Sequence, residues 1–206
     1  MVNLPSIVGT AVLLSTRADE LPPHISFAEY QRLRTGITEN WLKREKKPKS
    51  EFYRRRDLLF VDLLWATGCR VDDLCRLLVS AFDFPRRHLR IDMKKVKRPA
   101  VVALDADLLL DVSRFCSDFK VEGVLFGFSR IRAYKMIREY AESVGLKDVH
   151  PHKFRHGLAI HLLQQGVPIP VISARLGHAS VYVTMSMYMK VTPEIQAEMV
   201  KHVEWR

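Results

Sequence analysis

Arginine, histidine, lysine and tyrosine stand in this sequence at positions from which they could handle a phosphodiester. His152 and Arg155, in the run His150-Pro151-His152-Lys153-Phe154-Arg155-His156, are three residues apart. On a helix that spacing puts an imidazole and a guanidinium on one face, where both can address one phosphate. Arg70 sits in Ala66-Thr67-Gly68-Cys69-Arg70-Val71-Asp72-Asp73-Leu74. A guanidinium stays charged at any working pH and grips a phosphate through two parallel hydrogen bonds. Alone, Arg70 at a helix start reads as a surface arginine. Leu176-Gly177-His178 is followed, ten residues after the histidine, by Tyr188 in the run Met185-Ser186-Met187-Tyr188-Met189. Alone, that tyrosine reads as a core aromatic. His152 and His156, four apart, would also suit a metal on one helix face, yet no glutamate stands between them and no third ligand is near in sequence.

The charge balance points to a polyanion. Lys and Arg number 33 against 23 Asp and Glu, a formal charge of +10, and nucleic acid leads the partners such a balance favours. The excess is clustered in two runs. One holds Lys43, Arg44, Lys46, Lys47, Lys49, Arg54, Arg55 and Arg56; the other holds Arg86, Arg87, Arg90, Lys94, Lys95, Lys97 and Arg98. Either run alone would be a solvated face. With 206 residues, 48% of them hydrophobic, the chain can bury a core without disulfides. Its three cysteines, Cys69, Cys75 and Cys116, fit no zinc spacing, which suits a reduced cytosolic protein. The apolar stretch 7–14 lacks a basic segment before it, and no window reaches the ~18 apolar residues of a membrane span, so a soluble, cytoplasmic chain is expected.

These side chains need elements to position them. Ser26 with Glu29 forms a capping box ahead of Phe27, Tyr30, Leu33 and Ile37 at helical spacing. A loop is expected over 43–50, then a core helix over 51–66 stopped by Gly68, then a short helix after Arg70 using Leu74, Leu77 and Leu78. The period changes over 88–93 and 100–104, short strands flanking a charged tip. Helices are expected over 105–118, 129–143, 152–165, 169–176, 181–189 and 193–202.

Taken together and in order, the four segments resemble the signature segments of tyrosine recombinases, the phage-integrase family, over roughly 21–191. The resemblance implies a mainly α fold with a small antiparallel β-sheet (α+β), preceded by an extension over 1–20 and followed by a helix over 192–206 that packs on its own domain or docks on a neighbouring protomer. The box around Arg70 is similar to the family's threonine-glycine-x-arginine segment; Arg70 would hold a non-bridging oxygen and Asp73 would orient that region. Counted back from Val101-Val102-Ala103-Leu104, Lys95 falls where the family carries the lysine that protonates the departing 5′-oxygen, with Lys94 and Lys97 as rivals. His152 and Arg155 match the histidine-x-x-arginine motif, His152 as candidate base; His178 would donate to the phosphate and Tyr188 would attack it. The family places its tyrosine nine residues after that histidine, so the interval of ten is a departure; Tyr182 is the rival in the segment.

The implied function is site-specific DNA recombination through a 3′-phosphotyrosine, with integration, excision, inversion and resolution all open. No ATP, metal or other cofactor is implied. A catalytically silent DNA-binding regulator and a type IB topoisomerase are the alternatives. The implied partner is double-stranded DNA with paired sites, bound by a homo-oligomer (a tetramer) with accessory proteins in the nucleoid. Lys43, Arg44, Lys46, Lys47, Lys94, Lys97 and Arg98 are the candidate backbone contacts. With about 20 residues ahead of the match, the chain reads as the catalytic part of a longer enzyme or as a minimal recombinase.

Overall fold

Ser26 opens the first helix as its sequence requires. In the computed structural model, which describes residues 22–43, 49–92 and 99–177, its hydroxyl accepts from the Glu29 amide while the Glu29 carboxylate takes the Ser26 amide at 2.8 Å. α1 then runs Phe27–Leu42, burying Tyr30, Leu33 and Ile37. α2, Ser50–Thr67, is buried almost all round from Leu59 to Trp65 and packs against α1 and the later helices α4 and α6, which makes it the central helix. Gly68 ends it at φ 59. A Cβ there would lie 2.6 Å from Leu176 Cδ2 and 2.9 Å from Leu158 Cδ2, so glycine serves both the left-handed turn and the close packing.

α3 is short, Val71–Cys75, with Arg70 as its N-cap. The expected helical role of Leu78 is not met. The helix ends at Cys75, and Leu78, 45% exposed, pairs with Val124 in an isolated bridge. A 3-10 turn, Val79–Ala81, leads into β1 (Phe82–Asp83), followed by β2 (His88–Ile91) and β3 (Ala100–Ala103). The sheet is antiparallel in the order β1-β2-β3, with Phe82 opposite Leu89 and Leu89 opposite Val102. Leu89, Ile91, Ala100 and Val102 face inward and their neighbours face out, the alternation of a half-buried sheet.

Four helices complete the described part: α4 (Ala106–Phe119), α5 (Arg130–Ser143), α6 (Pro151–Gln164) and α7 (Ile169–Leu176). Asp105 and Ser129 cap α4 and α5 through their side-chain oxygens, and Pro151 occupies the first turn of α6, where its missing N–H costs nothing. α1, α2 and α5 are tied by a buried carboxylate: Asp57 accepts from Tyr140 Oη at 2.7 Å and Trp41 Nε1 at 3.3 Å and pairs with Arg56. Such a charge is tolerable inside only because it is paired and hydrogen-bonded. At Gly157 the main chain of Ile25 rests directly on α6, a Cβ there falling 2.0 Å from Ile25 O. Among the described residues no helix is long and apolar enough to cross a membrane.

The helices expected over 181–189 and 193–202 and the expected segments 1–20 and 192–206 lie outside the described residues. Arg44, Lys46, Lys47, Lys94, Lys95, Lys97, Arg98, His178, Tyr182 and Tyr188 lie outside them as well. Lys43 is exposed at the end of α1.

Candidate active site

The turn that stops α2 presents Arg70. After Gly68 the chain re-enters an extended conformation at Arg70, φ −71 and ψ 142, and the Arg70 carbonyl accepts from the Asp73 and Leu74 amides at 3.0 Å. Its Nη1 is buried and has no hydrogen-bond partner among the described residues. A cationic donor left in that state is one an incoming anion can satisfy.

Arg155 comes to the same place from α6. It is 6% exposed and donates from Nη1 to Gly68 O at 2.8 Å. His152, one turn earlier on α6, is exposed. Arg70, His152 and Arg155 thus line one cavity of about 270 Å³, together with Cys69, Asp72, Asp73, Arg130 and Tyr134. Arg130 and Tyr134 stand at the start of α5, and nothing in their local sequence sets them apart from other exposed helix residues. Asp73 is buried and accepts from Arg76 Nη2 at 2.8 Å, while Arg76 also pairs with Asp72. Both aspartates pair with Arg76, and three arginines, Arg70, Arg130 and Arg155, stand against these two carboxylates in the cavity lining, so its balance is cationic.

The pKa of the His152 imidazole is lowered from its ordinary value: partial desolvation of the ring, on a residue that is otherwise exposed, lowers it first, and Arg155, His150 and Arg70 lower it further. His156 meets it edge to face, ring centroids 4.5 Å apart at 86°. Among the described residues no group of three or more His, Cys, Asp or Glu side chains is arranged to hold a metal ion. Burial pushes the Cys69 thiol up to about 11 and the Cys75 thiol up to about 12, so neither is a ready thiolate.

A larger cavity, about 450 Å³, lies among α1, α2 and α4. Its arginines are matched there by Glu51, Asp62, Asp111 and Asp118, and the pairs Arg34–Asp62, Arg54–Glu51 and Arg55–Asp118 are already formed. It offers a phosphate no net attraction.

Residues 39–194 match a family model described as the phage integrase family. A protein of Pseudothermotoga lettingae named tyrosine recombinase is 33% identical over 173 residues, covering 79% of this chain and 60% of that protein. The tyrosine recombinase XerA of Pyrococcus furiosus is 30% identical over 178 residues, covering 81% of this chain and 60% of its own. Among solved structures, the fold is similar to that of a XerA recombinase, with TM-score 0.71, 24% identity and coverage of 92% of this chain and 66% of that one. It is also similar to the catalytic domain of bacteriophage HP1 integrase, with TM-score 0.60, 22% identity and coverage of 89% and 96%. At these identities the structural likeness is one of fold. The chain spans 60% of the length of the two curated relatives.

Proposed function

Because the chain belongs to the phage integrase family, we propose that it breaks and rejoins DNA strands at specific sites, through a covalent bond between Tyr188 and a 3′-phosphate. The observation that carries this reading is the convergence of Arg70, His152 and Arg155, from two sequence segments far apart, on one cationic cavity. Arg70 and Arg155 hold the non-bridging oxygens of the scissile phosphate and offset the charge that builds on them as phosphorus becomes five-coordinate. Tyr188 attacks phosphorus, and neutral His152 takes the phenolic proton. The bond from phosphorus to the 5′-oxygen breaks, and Lys95 supplies that oxygen with its proton; His178 donates to the phosphate. The products are a 3′-phosphotyrosine and a free 5′-hydroxyl. The phosphodiester's energy stays in the new link, so attack by another strand's 5′-hydroxyl reverses the step without ATP.

The partner in this reading is double-stranded DNA with paired sites, gripped by the basic runs and bound by a tetramer of the enzyme with accessory proteins, at the nucleoid in the cytoplasm. The relatives' names, tyrosine recombinase and XerA, support recombination as the reaction. The test is a nicked duplex carrying a candidate recombination site, from which the cut fragment diffuses away and traps the covalent product. Wild type gives a protein–DNA band on a denaturing gel and Tyr188→Phe gives none. Binding without any band in the wild type would refute catalysis, and a band that survives Tyr188→Phe would move the nucleophile to Tyr182.

A further inference from the structure

Arg175 is the last basic residue of α7, three positions before His178. Its guanidinium reaches two other elements. Nε and Nη2 both donate to Ala66 O, at 3.0 and 2.6 Å, and Nη1 donates to Ala103 O at 3.1 Å. Ala66 lies in the last turn of α2, four residues before Arg70, and Ala103 is the last residue of β3, the strand that returns from the segment holding Lys95.

We propose that Arg175 is a positioning residue for the strand-cleaving site, fixing the end of α7 that leads into His178 against the end of α2 that leads into Arg70. The inference rests on the recombinase reading above. Its physical basis is the state of the α2 C-terminus. The last carbonyls of a helix lack intrahelical partners and carry the negative end of its dipole, so they attract cationic donors. Two guanidinium groups answer that need here: Arg155 of α6 takes Gly68 O and Arg175 of α7 takes Ala66 O. A planar fork anchored at several points has little freedom to tilt. Burial lowers the Arg175 pKa, the mark of a charge held partly out of water, and its partners among the described residues are main-chain carbonyls. Apolar packing alone would hold α7 on α6 through Leu158, Leu163, Ile172 and Leu176. It would set the position of the Gly177 turn along α2 less sharply than directional hydrogen bonds do.

The variants are Arg175→Met, which keeps the length of the side chain without donors, and Arg175→Lys, which keeps the charge without the fork. Single-turnover cleavage of the nicked duplex is measured with enzyme saturating, alongside DNA affinity by fluorescence anisotropy and the melting temperature. A displacement near 1 Å costs up to about 100-fold in rate, so Arg175→Met is expected to cleave about 10- to 100-fold more slowly with affinity within about twofold, and Arg175→Lys to recover part of the rate. Wild-type cleavage by Arg175→Met would overturn the proposal, as would a rate loss matched by equal losses of affinity and of folded protein. If the wild type itself forms no covalent complex, the recombinase reading fails. Amide exchange over 64–72 in the free protein then decides for Arg175: faster exchange in Arg175→Met upholds its hold on α2, and unchanged exchange overturns it.

Discussion

Replacing His156 by phenylalanine should flatten the acid side of the stability curve. Burial pushes the His156 pKa from 6.5 down to about 4, and His152, Arg155, His24 and His150 push it the same way. The unfolded chain therefore binds this proton more readily than the folded one. The contribution to stability is fully present above about pH 6.5 and is lost as pH falls through the range toward the folded value. Converted at 1.36 kcal/mol per tenfold, the interval is about 3 kcal/mol, and the half-exposed ring, screened by solvent, brings it to about 1–2 kcal/mol. A phenylalanine at this position keeps an aromatic ring against His152 while removing the proton site. Urea unfolding followed by tryptophan fluorescence, from about pH 7.5 to about pH 4.5, should show the wild type losing about 1–2 kcal/mol more than His156→Phe. Parallel curves would refute the assignment of a half-buried, proton-excluding site to His156.

Two further expectations follow from packing and burial. Gly157→Ala places a Cβ 2.0 Å from Ile25 O and 3.0 Å from Trp65 Cζ3, and a main-chain oxygen cannot swing aside; a loss of about 2–3 kcal/mol is expected, read as a lower melting temperature, and wild-type melting would show the segment at Ile25 to be loosely seated. At about pH 8, iodoacetamide should label the half-buried Cys116 before Cys69 and Cys75, whose thiols are held as neutral groups by burial; labelling of all three at one rate, followed by peptide mass spectrometry, would contradict that burial.

What is legible in the sequence is what is local. The capping box at Ser26 and the stop at Gly68 each involve residues within four positions of one another, and the structure forms both of them. The histidine-x-x-arginine spacing is local too, and α6 presents both side chains to one cavity as that spacing requires. β1 is invisible in the sequence because a two-residue strand has no period; it exists through its pairing with β2. Leu78 misleads because an apolar residue at helical spacing says nothing of where a helix stops, and its partner Val124 is distant in sequence. Arg130, Tyr134 and Arg175 escape notice for the same reason. Their surroundings are made by packing of α5 on α3 and of α7 on β3, and no window of sequence contains both sides of those contacts.

The site's electrostatics rest on how its arginines are held as much as on their number. Arg86 shows the alternative: 79% exposed and paired with Asp83 at 3.2 Å, it resembles surface ion pairs that contribute little and reorient freely. Arg155 is buried, and one of its nitrogens is already committed to Gly68 O. Orienting a long side chain costs conformational entropy, and in Arg155 that cost is met during folding, before any anion binds. A main-chain carbonyl is a suitable anchor for this purpose, because it fixes the guanidinium without neutralising it, as a carboxylate would. A lysine at the same position could satisfy Gly68 O or approach a phosphate, but its point charge lacks the rigid fork that does both at once. The Gly68 turn thus has two tasks, stopping α2 and supplying the acceptor that aims Arg155 toward the cavity shared with Arg70.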